Sequence, residues 1–227
     1  MSSPGRDRPR VVVNCAASLD GRLAYAGGVR AHLSGPEDLH RVQRMRAASD
    51  AILVGSRTID LDDPSLRVHW EMLSGARGPE PLRIALDSRG DLRRTARFFD
   101  GSQPTLLATA ADARPRLPPG VDLFSAGTTE VDLPALLAHL AQRRIRQLMV
   151  EGGSRVIASF LRGGLVDEMT VYYAPVLIGG TTAPTLFAGP ETRNASEAVS
   201  LVRVAVEALG DGILVTLRPA SGTRAPL

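Results

Sequence analysis

Lysine is absent from this chain of 227 residues, and all 27 of its basic residues are arginine. Without lysine, a Schiff-base mechanism on a lysine amine and the lysine of a phosphate-binding P-loop are both excluded. Cysteine is almost as scarce, since Cys15 is the single one. One thiol excludes an intramolecular disulfide and a zinc site built on cysteine pairs, and it favours a reducing, cytoplasmic location.

Aromatic residues make up only 4% of the chain, and no apolar run approaches the roughly 20 residues of a membrane-spanning helix. The apolar stretch from Val11 to Ala17 is too short, and too interrupted by Asn14, for a secretory signal core. The formal net charge of +3 comes from the terminal segments 1–10 and 220–227, so the rest of the chain is neutral. With few stacking platforms and a neutral body, we expect neither a nucleic-acid nor a membrane partner.

Strand and helix patterns alternate along one predicted domain, 10–219, between predicted flexible tails at 1–9 and 220–227. This alternation predicts an α/β fold of three layers, α/β/α, with a mostly parallel central sheet and a C-terminal antiparallel hairpin. The predicted strands are 10–17, 50–56, 82–87, 105–109, 121–125, 147–151, 168–178, 199–209 and 212–217. The predicted helices run from a cap at Ser34 through Arg46, over 133–144 and over 155–162, and a long loop covers 60–81.

Polar and glycine residues gather where the predicted parallel strands end, which is where open α/β sheets bind ligands. The four clusters are Asn14 with Ser18-Leu19-Asp20-Gly21, Gly55-Ser56-Arg57-Thr58 with Asp62-Asp63-Pro64, Asp87-Ser88, and Val150-Glu151-Gly152-Gly153-Ser154. The last cluster is the most informative, because two glycines let a backbone approach an anion and the helix start offers N–H groups to a phosphate. Each cluster also has a structural interpretation, as a β-turn, a capping loop or helix–strand packing.

Patterns typical of other enzyme classes are missing from the chain. The histidines His32, His40, His69 and His139 show no metal-ligand spacing, so we expect no metal. There is no Gly-x-Ser-x-Gly elbow, no zinc-deaminase pattern and no Gly-x-Gly-x-x-Gly signature. Phosphate-suited turns without an obvious nucleophile favour a bound dinucleotide whose own chemistry acts on a second small molecule.

The four clusters, in this order, resemble the riboflavin-biosynthesis pyrimidine reductases, a family with the dihydrofolate-reductase-like fold. The matching stretches are 14–24, 46–47, 50–55, Thr58, 62–66, 83–84, 87–88, 151–153, 163–168 and 174–180. Together they lie between Val11 and Leu217, and the ordered set is far more specific than any one motif.

The resemblance implies a stand-alone reductase of the archaeal and fungal type, because the amino-terminal deaminase domain of the bifunctional bacterial members has no counterpart in this sequence. His69 is typical of the stand-alone type, whereas Arg67 fits neither type. The implied reaction is reduction of 2,5-diamino-6-(ribosylamino)-4(3H)-pyrimidinone 5′-phosphate. Its ribosylamine opens to an imine, and NADPH, with NADH as the alternative, delivers hydride to the former anomeric carbon. Such a transfer depends on positioning more than on a strong acid or base.

The same resemblance assigns the candidate site residues. The cofactor site comprises Ala16, His32, Thr58, Asp62, Asp87, Ser88 and the turn from Gly152 to Ser159, which includes Gly153, Ser154, Arg155 and Val156. The substrate site comprises Asn14, Ser18, Arg46, Leu66, His69 and Glu151. The candidate catalytic residues are Asp20 and Glu151, and Asp20 either orients the pyrimidine amino groups or holds its turn. Arg46 is the candidate for the 5′-phosphate, because a guanidinium forms a forked pair of bonds to phosphate oxygens. The candidates for a position near the adenosine ribose are Arg57, Arg89 and Arg155.

Two structural expectations also come from the resemblance: a cis peptide bond between Gly152 and Gly153, and a homodimer formed through the long strands after Leu165. Three other functions stay open. The substrate is alternatively the deaminated 5-amino-6-(ribosylamino)uracil 5′-phosphate, or a related pterin or pyrimidine. From a different class, the chain is a non-catalytic module that binds a phosphate ligand, although the presence of Thr58, Asp62 and Glu151 together argues against it.

Overall fold

A computed structural model describes residues 7–75 and 77–220. In chain order, the strands and helices are β1 (Arg10–Ser18), α1 (Pro36–Ala47), β2 (Ala51–Gly55), α2 (Ser56–Asp62), β3 (Leu82–Leu86), β4 (Thr105–Thr109), β5 (Val121–Ser125), α3 (Leu133–Gln142), β6 (Gln147–Gly152), α4 (Ser154–Arg162), β7 (Glu168–Ala174), β8 (Leu201–Leu209) and β9 (Gly212–Pro219). Most residues of the predicted tails, 1–9 and 220–227, lie outside the described ranges. Within those ranges, no helix is long and apolar enough to cross a membrane.

The chain divides into two compact units. The first unit comprises the residues up to Val11 together with Val42–Val150, and the second comprises Val12–Arg41 together with the residues from Glu151 onward. The prediction of one domain over 10–219 therefore stays a prediction.

The first unit is built on parallel strands in the order β5-β4-β3-β2, with β6 beside β2. All five residues of β2 are buried, which is typical of a central parallel strand covered on both faces. Its Ile52 and Val54 pack with Ile59, Phe98 and Leu107 in one apolar cluster. Burial of each such large side chain stabilises the fold by about 1.5–3 kcal/mol. This cluster fixes the carboxyl ends of β2 and β3, where two of the predicted polar clusters begin.

In the second unit, β7 pairs in parallel with β1 and antiparallel with β9, and β8 and β9 form the predicted hairpin. Asn14 lies opposite Thr170 and Ser18 lies opposite Ala174, so these side chains share one face of the sheet. The apolar cluster of this unit contains Leu33, Tyr172, Ala174 and Leu214. The α/β class, the mostly parallel strand pairing and the C-terminal antiparallel hairpin are thus confirmed.

Several element boundaries differ from the prediction. β7 ends at Ala174 rather than at residue 178, because Pro175 follows and has no N–H for the strand ladder. α3 ends at Gln142 rather than at residue 144, because Arg144 adopts a left-handed φ of +63°. The predicted loop over 60–81 starts later, since α2 extends to Asp62, and it contains a short 3-10 turn at Trp70–Met72.

Candidate active site

The predicted site residues are divided between the two units. The first unit holds Arg46, Thr58, Asp62, Leu66, His69, Asp87 and Ser88. The second unit holds Asn14, Ala16, Ser18, Asp20, His32 and the run from Glu151 to Val156.

The carboxylate of Asp20 in the second unit accepts three hydrogen bonds. The Ser18 hydroxyl donates to it at 2.6 Å, and the backbone N–H groups of Ile178 and Gly179 donate at 3.0 and 2.7 Å. The Arg22 guanidinium adds an ion pair at 3.7 Å. The Ser18 hydroxyl, followed by the two N–H groups, holds the pKa of Asp20 well below its ordinary value. A carboxylate has about four acceptor positions, so these contacts favour the turn-holding role of Asp20 over a direct role on substrate.

Ser18 is also committed to its own turn. It is fully buried, and its hydroxyl accepts the backbone N–H of Arg22 at 2.9 Å in addition to its bond to Asp20. His32, in contrast, is exposed and makes no hydrogen bond to another described residue. Its neighbour Leu33 is buried with Ala16 packed against the same apolar cluster. Of these predicted residues, His32 is the one whose side chain is open to a ligand.

Asn14 is buried, and two donors orient its carboxamide. Arg41 Nη2 donates to Asn14 Oδ1 at 2.6 Å, and the Thr170 hydroxyl donates to the same oxygen at 2.9 Å. A guanidinium has no acceptor, so the atom that faces Arg41 must be the carboxamide oxygen. The carboxamide nitrogen makes no hydrogen bond to a described residue. Among the described residues, two fully buried side-chain polar atoms have no hydrogen-bond partner, Arg22 Nε and Gln103 Oε1. The Asn14 nitrogen is not one of these atoms, so the protein does not enclose it completely.

Arg41 is itself held by Asp38, which lies three residues earlier on α1. Arg41 Nε and Nη2 lie 2.8 and 2.7 Å from Asp38 Oδ1. Ser34, the expected helix cap, donates its hydroxyl to Asp38 Oδ2 at 2.5 Å. Asp38 and Arg41 are 1% and 8% exposed, and a buried ion pair of this kind has little freedom to rearrange. Sequence reasoning missed both residues, because charged pairs with this spacing on a helix are ordinarily solvated.

The Gly152–Gly153 peptide bond is cis, which confirms the prediction. Gly152 has a φ of +118°, and a Cβ built on it would meet no atom within 4 Å. Glycine is therefore required by the backbone conformation, and the space beside it is open to a ligand. Glu151 is half-buried and directly precedes this turn at the end of β6.

Helix α4 begins immediately after the two glycines. The Ser154 hydroxyl donates to the Thr185 carbonyl, so this side chain anchors the helix start. The first N–H groups of an α-helix have no acceptor within the helix and form a ready site for phosphate. Arg155 is exposed beside them and makes no ion pair with a described residue, whereas Val156 is half-buried. The turn thus offers backbone donors and one cation to an anionic ligand.

In the first unit, the loop after α2 is tied to α1 at two points. Arg46 Nη1 donates to the Arg67 carbonyl at 2.9 Å, and the Gln43 side-chain carbonyl accepts the His69 backbone N–H at 2.9 Å. Leu66 is 1% exposed, has a φ of +53° and packs into the apolar cluster of this unit. The structure therefore brings Arg46, Leu66 and His69 together, with Leu66 anchoring the loop. Gln43 was not among the predicted residues, and nothing in its local sequence marks it.

The imidazole of His69 pairs with a carboxylate that sequence reasoning also missed. His69 Nδ1 lies 2.9 Å from Glu71 Oε1, and both side chains are exposed. The backbone N–H of Glu71 itself, followed by the His69 ring, lowers the pKa of Glu71. An ionised partner at Nδ1 favours the proton on that nitrogen and leaves Nε2 directed elsewhere. Glu80 braces the same loop by accepting the Trp70 indole N–H at 2.9 Å and the Val68 backbone N–H at 3.3 Å.

The buried side chain of Arg83 stabilises the same loop. Arg83 donates to Asp100 at 3.0 Å, to the Thr105 hydroxyl at 3.1 Å and to the Ser65 carbonyl at 3.4 Å. Burial opposes the ionisation of Asp100, but its bonds from Ser102 and Arg83 outweigh burial and lower the pKa of Asp100 to about 2. Arg83 therefore couples β3 to the chain segment that leads into Leu66.

The paired aspartates after β2 have different roles. Thr58 and Asp62 lie four residues apart on α2, so they share one face of that helix. Asp63 ends the helix with a φ of +41°, and its side chain accepts the Arg97 backbone N–H at 2.8 Å. Across residues 7–75 and 77–220, no group of three or more histidine, cysteine or acidic side chains could hold a metal ion.

Asp87 and Ser88 form the tight turn after β3. Asp87 is buried, its side chain accepts the Leu92 N–H at 2.8 Å, and burial raises the pKa of Asp87. The Ser88 hydroxyl accepts the Val131 N–H at 3.3 Å and is half-buried. Asp87 thus stabilises the turn. The Ser88 hydroxyl accepts one hydrogen bond, and its O–H donor remains able to bind a ligand.

The family model described as the RibD C-terminal domain matches residues 9–215. The chain belongs to this RibD C-terminal domain family. A relative from Methanothermobacter thermautotrophicus, named 2,5-diamino-6-ribosylamino-4(3H)-pyrimidinone 5′-phosphate reductase, is 38% identical over 212 residues. That match covers 92% of this chain and 97% of the relative. The resemblance to the riboflavin-biosynthesis pyrimidine reductases is therefore confirmed.

Solved structures extend the RibD likeness to the fold. Acinetobacter baumannii RibD matches with a TM-score of 0.78 and 28% identity, over 94% of this chain and 58% of that one. This chain thus spans less than two thirds of that RibD structure. A dihydrofolate reductase from Enterococcus faecalis matches with a TM-score of 0.51 and 14% identity, over 93% of this chain and 97% of that one. The expected dihydrofolate-reductase-like fold is confirmed.

Proposed function

We propose that the chain reduces 2,5-diamino-6-(ribosylamino)-4(3H)-pyrimidinone 5′-phosphate to its ribitylamino product in riboflavin biosynthesis. The relative with this name matches over nearly its full length. The structural observation that carries the proposal is the Gly152–Gly153 turn, which leads from Glu151 directly into α4. It combines an open backbone face, helix-start N–H groups and a carboxyl group, which suit a dinucleotide and its substrate.

NADPH is the proposed cofactor, and when bound it supplies the hydride. The residues present fit it: the space beside Gly152 is open, and the first N–H groups of α4 suit a pyrophosphate. Arg57 and Arg155 are exposed and make no ion pair with a described residue, whereas Arg89 is paired with Asp91 at 3.0 Å. The proposed 2′-phosphate contacts are therefore Arg57 and Arg155, and NADH is the weaker alternative. The other proposed cofactor contacts are Ala16, His32, Thr58, Asp62, Asp87 and Ser88.

The proposed substrate contacts are Asn14, Ser18, Arg46, Leu66, His69 and Glu151. Arg46 and His69 bind the 5′-phosphate, Leu66 anchors the loop that carries His69, and Ser18 holds its own turn to Arg22. Glu151, at the end of β6 and directly before the Gly152–Gly153 turn, is the proposed catalytic residue that contacts the substrate and orients it for reduction. Asp20, placed among the catalytic residues by the motif, acts through the turn that it holds.

We also propose a homodimer formed through β8, and a cytoplasmic location that is supported by the buried free thiol of Cys15. β8 is the edge strand of its unit, and Val202, Val204 and Val206 on it are about half exposed. An exposed apolar edge strand is an established site of pairing between chains. Sedimentation of the purified protein at twice the monomer mass supports the dimer, and a monomer for the native chain contradicts it.

The decisive experiment is anaerobic loss of the reduced-nicotinamide absorbance with purified protein, NADPH and freshly made diamino substrate. The deaminated substrate is run in parallel. Preference for the diamino compound supports the proposed function, and preference for the deaminated compound supports the alternative reductase. No oxidation with either, in protein that still binds NADPH, points to a different pterin or pyrimidine. Binding of phosphate ligands without NADPH turnover on any of these supports a non-catalytic module.

A further inference from the structure

We infer that Asn14 binds the substrate as a hydrogen-bond donor, and that Arg41 and Thr170 are positioning residues that enforce this polarity. The inference rests on the proposed function, since it concerns the substrate site of the same reaction. It adds what the motif does not contain: which end of the carboxamide meets the substrate, and which residues decide it.

The polarity follows from the two donors on Asn14 Oδ1. Arg41 Nη2 at 2.6 Å can only donate, and the Thr170 hydroxyl donates at 2.9 Å. Both acceptor positions of the oxygen are then filled. A reversed carboxamide would place its N–H groups against a guanidinium, which is unfavourable in a buried site. Asn14 therefore has one accessible orientation, and its NH2 group points away from both partners.

The NH2 group of Asn14 is the part that is left to recognise a ligand. Asn14 is 6% exposed, and its nitrogen makes no hydrogen bond with any residue in the described ranges. A bound acceptor would give this nitrogen a hydrogen bond that no described residue of the protein supplies. The pyrimidinone carbonyl, a ring nitrogen and the ribose oxygens of the substrate are such acceptors. On β1 the side chain shares its face with Ala16 and Ser18, which are also predicted site residues.

Arg41 can act in this way only because its own position is fixed. Asp38 lies 2.7 Å from Arg41 Nη2, and the Ser34 hydroxyl binds the other oxygen of Asp38. A series of hydrogen bonds thus connects Ser34, Asp38, Arg41 and Asn14, and it fixes the orientation of the Asn14 side chain on β1 relative to the start of α1. Arg41 and Thr170 do not need to touch the substrate; they set which atoms of Asn14 do.

The substitution Asn14→Asp tests the donor. Aspartate has the same shape and can accept from Arg41 and Thr170, but it has no N–H to offer. We expect the KM for the pyrimidine to rise about 10- to 100-fold, as for loss of a hydrogen bond to a buried group, and the Kd for NADPH to change less than about 2-fold. A merely structural role for Asn14 would lower Tm and impair both ligands together.

The pair Thr170→Val and Thr170→Ser tests the positioning, and it serves even where Asn14→Asp folds poorly. Valine keeps the shape of threonine without its hydroxyl, so we expect the pyrimidine KM to rise about 3- to 10-fold with NADPH binding intact. Serine keeps the hydroxyl and should restore the native KM. Unchanged KM in Asn14→Asp, or equal KM values in the two Thr170 variants, overturns the inference while wild-type turnover upholds the proposed function. A wild-type protein that oxidises no NADPH overturns the proposed function, and this inference with it.

Discussion

The side-chain carbonyl of Gln43 accepts the backbone N–H of His69 at 2.9 Å, so helix α1 fixes the position of the loop that carries Leu66 and His69. Arg46, one turn further along the same helix, donates to the Arg67 carbonyl of that loop. The proposed phosphate-binding residues thus share one support, although they are more than twenty positions apart in sequence.

Gln43→Met should weaken substrate binding without affecting the cofactor. Methionine matches the length of glutamine but leaves the His69 N–H without its acceptor, so the loop loses one of its two ties to α1. We expect the pyrimidine KM to rise about 5-fold and the NADPH KM to stay unchanged. Gln43→Glu keeps an acceptor at the same place and is the matched control. Steady-state kinetics of both variants measure the effect, and native KM values in Gln43→Met would refute it.

Arg57→Gln and Arg155→Gln should distinguish NADPH from NADH. A guanidinium that contacts the 2′-phosphate contributes only to the phosphorylated cofactor, because NADH has a hydroxyl there. We expect at least one of the two variants to raise the NADPH KM about 10-fold and to leave the NADH KM unchanged. Arg89→Gln is the control, since Arg89 is already paired with Asp91. Parallel losses for both cofactors would show that neither arginine reads the 2′-phosphate.

Gly152→Ala should impair cofactor binding more than stability. The φ of +118° is costly for alanine, by about 1–3 kcal/mol, and the new methyl group would enter the open space beside the turn. Gly101→Ala is the control, because Gly101 also has a positive φ, +73°, and an unobstructed Cβ position. We expect both variants to lower Tm, but only Gly152→Ala to raise the Kd for NADPH, measured by fluorescence titration. Equal NADPH affinity in the two would remove the turn from the cofactor site.

Asp100→Asn should destabilise the protein at neutral pH and lose this effect in acid. Asparagine keeps the shape but removes the charge that faces buried Arg83, and the partly exposed position limits the cost to about 1–2 kcal/mol. The pKa of Asp100 is lowered in the folded state, so its stabilisation is complete above the unfolded pKa of about 4. It is lost as the pH falls towards about 2. Urea unfolding of both proteins from pH 7 to pH 2.5 measures the gap, and a gap independent of pH would contradict the assignment.

The sequence predicts the chemistry of the turns better than the partners of their side chains. The bounds of β4 and β5 and the cis bond at Gly152 follow from local patterns or from the motif, and all three are confirmed. Leu66 shows what the sequence cannot predict. A residue at a motif position looks the same in the sequence whether its side chain contacts a ligand or anchors a loop in the core, as Leu66 does. The role of Arg41 depends on a strand 27 positions earlier, and no local pattern marks such a partner.

The second unit also has a consequence for synthesis on the ribosome. Thr170 bonds Asn14 across 156 positions, and Gly179 bonds Asp20 across 159. In the sequence, residues 42–150 lie between these partners and form most of the first unit. Residues 42–150 are therefore synthesised completely before β7 and the segment after it, which hold the partners of Asn14 and Asp20. Since chains emerge at about 5–20 residues per second, Asn14 and Asp20 stay without these partners for roughly 8 to 30 seconds. This interval is the natural point at which a nascent chain of this topology meets a chaperone.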